Sequence, residues 1–568
     1  MKQIHKSTFG ILKDNPTDID SIRAYLRFYR GEDVALDDDV CKDIDLDDLF
    51  GYSNRCITPV GELMLYDRFR QMKRSARSVN DEKDITRIIE DDDFRTRIES
   101  ALGAVNLKKG ISVSELLNMS VQIGRWHKFS WLVPLAELAA FVLLLVFLPP
   151  AAAIFFAVAV LTLNVCLHYA NKSYVDLYIR PLMQLDRLRQ ASVKLSEVDR
   201  YNDLKGVNLS IKNLAKLSKR LRLFSLNGIL ESDFMAMFYI LIELVKILLC
   251  IEPIKTYAIL KKMDDVSKDS RTLFEYVGGW DALYSIASFR SWMDSCGFVW
   301  SSPTFGSQSK TLKADNIYHP LINNCVPNSI QIDKSVIITG SNMSGKSSFL
   351  RTLAVNVVSS YALNMSFSSA FSLPECRLHS VLSVSDNLDE GKSYYMSEVL
   401  RIQSIVDKCT SADNHTTDFV FIDEIFKGTN TVERISIADA VIRHLSSLEN
   451  TIAVVSTHDI ELARGLETTL DTYHFNETID SEQIRFSYTL IPGVVYTRNA
   501  ISLLRLCGYP SSIINKAEEN AKNIHFSNVI VPANGTVSSS RDGRLGMGLL
   551  KQFKKVVFNF EDMFVAFE

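Results

Sequence analysis

Residues 336–352 read VIITGSNMSGKSSFLRT. Three β-branched residues, Val336, Ile337 and Ile338, run into Gly340, and after four intervening residues come Gly345, Lys346 and Ser347. The spacing is G-x-x-x-x-G-K-[ST], a loop between a strand and a helix. Its two glycines let the backbone curl so that successive N–H groups face an anion. The following helix adds the positive end of its dipole. Lys346 is expected to reach the outer phosphates of a nucleotide and the Ser347 hydroxyl to ligate Mg²⁺. The run from Gly340 through Ser341, Asn342, Met343, Ser344, Gly345, Lys346 and Ser347 to Ser348 is therefore the candidate phosphate cradle.

Two further strand patterns complete such a site. Residues 419–424, FVFIDE, are four apolar residues delivering Asp423 and Glu424 to a strand end. A carboxylate there can support the Mg²⁺ shell, and the acid beside it can polarise an attacking water. Residues 452–458, IAVVSTH, end a second apolar strand on Thr457 and His458, where the imidazole can sense or orient a terminal phosphate. β-branched runs alternating with helices from 310 to 525 predict a P-loop α/β domain with a mostly parallel sheet.

Upstream the texture is helical. Residues 41–125 and 173–309 predict the two parts of a long-helix core, with extended helices over 176–224 and 228–264. Residues 1–40 are a short N-terminal segment, and 526–568 a Ser/Gly/Asn-rich flexible tail with a short basic helix near Lys551, Lys554 and Lys555. The formal net charge of −4 excludes a global basic field, so any nucleic-acid surface must be local. Nine cysteines without C-x-x-C spacing fit reduced thiols in a cytosolic setting, and MKQIHKSTFG has no apolar signal region.

Between the helical parts, residues 126–172 predict a transmembrane hairpin. Glu137 is the one acidic or basic residue across 131–148 and 151–167, and Pro149–Pro150 breaks the run. Each half has about 17–18 residues, close to the minimum for spanning ~30 Å of hydrocarbon. Arg125, His127, Lys128, Lys172 and Arg180 flank the pair and put both ends, and the α/β domain, on the cytoplasmic side. A buried helical hairpin in a soluble core is the competing reading. Glu137 is expected to face the partner helix or to sit protonated.

Taken together, TGSNMSGKSS (339–348), DNLDEGKSYYMSE (386–398), FVFIDEIFKGTNT (419–431) and STH (456–458) resemble the ATPase domain of the MutS family. Tyr318-His319-Pro320-Leu321, the 491–519 segment and DLDDLFGYSNRCITPVGE (45–62) are similar to further parts of that family. The resemblance implies ATP and Mg²⁺ as cofactors and a composite site in a homodimer formed through the ATPase domain. Lys346 and Ser347 would bind phosphate and metal, Asp423 would support the metal, and Glu424 would be the base. Ser393 would reach the γ-phosphate held by the opposite subunit. Ser341, Ser344 and Lys427 depart from the residues usual in the family, and none of the three removes a catalytic group.

Mismatch recognition is not expected. About 40 residues precede the helical core, with no F-x-E, where the family's mismatch-binding domain would lie. The expected function is a membrane-associated ATPase that moves helical levers on an unidentified protein partner. The alternative is a DNA-binding family member using the basic run KNLAKLSKRL (212–221), with Lys212, Lys216, Lys219 and Arg220, and the adjoining Arg222. A transporter-type ATPase is a third reading, for which one hairpin makes a poor path.

Overall fold

The computed structural model describes residues 9–11, 18–30, 35–73, 78–105, 132–133, 135–137, 139–140, 142, 150–174, 180–199, 204–221, 244–248, 251–306, 310–341, 343–383, 394–411, 416–479, 484–494, 501, 504–505, 507–523, 556–559 and 564–567. It divides into two compact units. One comprises 1–37, 47–299 and 361–364; the other comprises 38–46, 300–360 and 365–568. Helices plus a mostly parallel sheet agree with the expected α + α/β class.

The first unit is helical and is organised by a 33-residue helix, Met263–Ser295, about 50 Å long at 1.5 Å per residue. Gly278 and Gly279 lie inside it, which would normally weaken a helix. Gly278 is required by packing: a Cβ there would meet Met64 Cγ at 2.4 Å. The partner helix, Pro59–Gln71, begins with Pro59 after the N-cap Thr58, whose hydroxyl accepts the Gly61 N–H at 3.0 Å. Asp281 of the long helix is fully buried against this start, accepting the N–H groups of Ile57 (2.9 Å) and Thr58 (2.7 Å) and the Thr58 hydroxyl (2.6 Å). A carboxylate at a helix N-terminus opposes the positive end of the dipole. Gly61 makes the approach possible, because its Cβ would lie 2.1 Å from Asp281 Oδ2.

The long helices expected over 176–224 are two, Arg180–Val198 and Lys205–Leu221. Of 228–264, the described helical portions are 244–248, Ile251–Leu260 and the start of Met263–Ser295.

The apolar region corrects the sequence reading. Among the described residues one helix is long and apolar enough to cross a membrane, at Ile154–Lys172 within Pro150–Tyr174. A two-span hairpin is therefore not supported; much of its first half lies outside the described residues. The helix has an inverted pattern. Ile154, Phe155, Val158, Leu161 and Leu163 are exposed, while Asn164, His168 and Asn171, spaced four and three apart, are buried. Asn164 donates to Glu137 Oε2 (3.1 Å), as expected of Glu137, and to the Leu248 carbonyl (3.3 Å). His168 Nδ1 lies 3.4 Å from Glu252, which also meets Lys246, and Asn171 donates to Thr256 at 3.2 Å.

The second unit carries two sheets. The smaller has the order β1(Thr304–Gly306)-β5(Ala370–Pro374)-β2(Leu312–Ile317)-β3(Asn328–Ile332). The larger has the order β10(Ile484–Pro492)-β9(Asp471–Ile479)-β4(Val336–Thr339)-β8(Thr451–Thr457)-β7(Thr417–Asp423)-β6(Cys376–Val381). Every pairing in it is parallel except β10 with β9. β4 and β8 are buried at every residue, and β7 at all but its last, because helices cover both faces of such a sheet. Val420, Ile422, Ala453 and Val455 share a core with Ile402 and Ile405 of helix Tyr394–Thr410 and with Ile442 and Leu445 of helix Thr431–Ser447.

In the tail, β11(Val556–Asn559) and β12(Phe564–Phe567) pair antiparallel. The basic helix expected near Lys551, Lys554 and Lys555 falls on residues outside those described.

Candidate active site

The C-terminal ends of β4, β7 and β8 bring the candidate residues together. β4 enters the loop at Gly340, with φ +149°, where a Cβ would lie 2.6 Å from Ser344 Oγ. Gly345 has φ +104°, and the Tyr488 ring would lie 3.1 Å from a Cβ there. Both glycines are thus required by conformation and by space. Ser344 is buried and its hydroxyl donates to the Ser341 carbonyl at 2.8 Å, closing the loop internally. The Ser341 hydroxyl donates to Glu477 of β9. Met343, Ser347 and Ser348 are exposed. Asn342 and Ser393 lie outside the described residues.

Lys346 is 3% exposed, and its ammonium donates to the carbonyls of Gly340 (2.8 Å) and Ser341 (2.7 Å). Burial lowers its pKa, opposed chiefly by Glu424, whose Oε1 is 4.0 Å away.

β7 and β8 are adjacent in register, with Asp423 opposite Ser456, and the Ser456 hydroxyl donates to Asp423. Glu424 follows with φ +52° and Phe426 with φ +60°, two non-glycine residues in the left-handed region within three positions. Such strain collects where surroundings over-determine a functional corner. The Glu424 carboxylate lies 3.2 Å from His458 Nδ1 and 2.9 Å from Lys427 Nζ. The hydrogen bond from His458, against the opposing effect of burial and with help from Lys427, holds its pKa down at about 2. Reciprocally, Glu424 raises that of His458. Next in the chain, Asp459 makes a two-point ion pair with Arg434 (2.8 and 2.9 Å).

Two residues here are not among the candidate site residues, although Glu398 closes the 386–398 segment. Glu398 is 1% exposed on helix Tyr394–Thr410, and its Oε1 accepts the N–H of Phe426 while Oε2 is buried without a hydrogen-bond partner. Burial raises its pKa. Its signal was an acid in register with the apolar face of Tyr395, Ile402 and Ile405. Tyr488 sits at a register shift in β10, with φ +51°, where the Asn328 side-chain amide donates to the Tyr488 carbonyl and accepts the Leu490 N–H. Bulges of this kind re-aim side chains, and this one lays an aromatic ring beside Gly345.

Residues 336–525 match the family model for MutS domain V. The chain is 28% identical over 252 residues to the DNA mismatch repair protein MutS of Petrotoga mobilis, covering 41% of this chain and 29% of that protein. It is also 28% identical over 234 residues to the MutS of Pseudothermotoga lettingae, covering 39% and 28%. The chain carries a domain similar to MutS domain V. Against the Wolbachia pipientis protein of the same name the match is 29% over 207 residues. The chain spans less than a third of the length of these relatives, and the matched domain V contains Lys346, Asp423, Glu424 and His458.

Proposed function

We propose that this chain binds and hydrolyses ATP at the end of the six-stranded sheet. The observation that carries it is Lys346 within 4.0 Å of Glu424, with Asp423 beside it on the same strand end. The cradle suits a nucleotide: Gly340 and Gly345 leave room that a Cβ would fill, and Ser347 is open to solvent. Ser347 and Asp423 would hold Mg²⁺, which supplies charge neutralisation at the phosphates when bound. Lys346, now satisfied by loop carbonyls, exchanges those partners for phosphate oxygens.

Glu424 is ionised at neutral pH and accepts a hydrogen bond from the attacking water. A carboxylate held near pKa 2 is a weak base, so its main contribution is orientation. His458 and Lys427 hold it, and their movement toward phosphate would raise its basicity. Tyr488 offers a ring on which a purine can stack. The test is phosphate release by the full chain with Mg²⁺ and ATP. Release that stays at background, or persists undiminished in Lys346→Ala, overturns the reading.

The finer proposal is that the ATPase acts as a homodimer at a membrane, with Ser393 contributed across the interface. Support for membrane attachment is the inverted helix Pro150–Tyr174, whose buried side chains are Asn164, His168 and Asn171 and whose exposed ones are apolar. Hydrocarbon, unlike water, favours that distribution. Co-sedimentation with liposomes checks it. DNA binding is the second reading. Lys212, Lys216 and Lys219 are exposed along one stripe of helix Lys205–Leu221, and the relatives are named as DNA mismatch repair proteins. Duplex binding that weakens steeply with salt would favour it.

A further inference from the structure

The six-residue helix Asp38–Asp43 ends on a fully buried carboxylate, at the end where a helix dipole disfavours negative charge. A buried ion is tolerated only when donors surround it. Asp43 Oδ2 accepts from the Ser380 hydroxyl (2.6 Å), the Leu382 N–H (3.0 Å) and Arg401 Nη2 (2.6 Å). Oδ1 accepts from the Ser383 N–H (2.9 Å) and hydroxyl (2.7 Å). Arg401 also donates to the Ser383 carbonyl at 3.1 Å. Two residues on, Asp45 takes Arg351, on the helix that follows the phosphate loop, at 2.8 Å.

Residues 38–46 belong to the same compact unit as these partners, although some three hundred positions separate them in sequence. Arg401 lies on helix Tyr394–Thr410, three residues after Glu398, and Glu398 accepts the N–H of Phe426, two residues after Glu424. One rigid helix therefore joins the Asp43 anchor to the strained corner carrying the proposed water-orienting carboxylate.

We infer that Asp43 is a positioning residue for hydrolysis, fixing helix Tyr394–Thr410 through Arg401 so that Glu398 holds the 424–426 corner. The inference rests on the hydrolysis reading above. A plain folding staple would instead lower stability and nucleotide affinity together.

The experiment measures steady-state phosphate release, fluorescent ATP-analogue binding and thermal unfolding on the full chain for Asp43→Asn, Ser383→Ala, Arg401→Gln and Arg401→Lys. Asp43→Asn and Arg401→Gln are expected to lower kcat about tenfold with analogue affinity within about twofold, and Arg401→Lys to recover part of the loss. If Asp43→Asn does not fold, Arg401→Gln and Ser383→Ala decide. Unchanged kcat in folded Arg401→Gln overturns the inference, as does a parallel fall of kcat, affinity and melting temperature. A wild-type chain that releases no phosphate fails the hydrolysis reading itself. A hydrolysing wild type matched by its variants fails this inference alone.

Discussion

His458 Nδ1 lies 3.2 Å from Glu424 Oε1, joining the ends of two adjacent parallel strands at the phosphate loop. The contact holds the carboxylate ionised and aimed, while Lys427 holds its second oxygen at 2.9 Å. Glu424 is thus constrained from both sides.

Replacing that carboxylate separates binding from turnover. Glu424→Gln keeps the side chain's shape and removes its charge. Phosphate release is expected to fall by about a hundredfold, the size of the loss that misplacing a reacting group can cause. Fluorescent-nucleotide binding should persist, since Lys346 and the loop are untouched. Loss of binding with release would contradict the assignment.

Stability of the helical unit should depend on pH through Asp84. Burial, with Asp199 and Asp81 nearby, pushes its pKa up to about 6 from the ordinary 3.8 of an aspartate. Between these values the folded chain keeps a proton that the unfolded chain has lost, so stability falls as pH rises from about 4 to 6 and then levels. Asp84→Asn should be stabilising above pH 6, on the order of 2 kcal/mol, and neutral below pH 4. Denaturant unfolding across that range measures both limits; an effect independent of pH would refute it.

Gly61→Ala adds a methyl where Asp281 Oδ2 would be 2.1 Å away. The helix must withdraw or the buried carboxylate must lose its N–H donors. A loss of about 3 kcal/mol is expected from overpacking combined with broken hydrogen bonds. The change should appear in the unfolding midpoint of the purified chain.

Phe155 is 79% exposed on the apolar face of helix Pro150–Tyr174. Were water its surroundings, Phe155→Asp would be neutral or solubilising. Facing lipid, the same change should reduce liposome co-sedimentation severalfold without lowering the melting temperature, a charge in hydrocarbon costing about 2.5–3.5 kcal/mol. Equal sedimentation of both proteins would remove the support for lipid contact.

The chain's own letters determined the site to a large degree. Gly340, Gly345, Lys346, Asp423, Glu424 and His458 stand where strands end, because buried parallel strands are uninterrupted apolar runs and loop glycines mark turns. Local pattern sufficed for those. Tertiary structure alone decided the strand order that puts β8 between β4 and β7, and so sets His458 against Glu424. It likewise decided the surroundings of Asp43, an acid in an acidic stretch that long-range folding encloses with five donors. The expected membrane hairpin shows the limit from the other side. Hydropathy reports how apolar a segment is, but not which face is covered, and the covered face of Pro150–Tyr174 is its polar one. Periodicity records what one element offers; its partner is fixed by contacts distant in sequence.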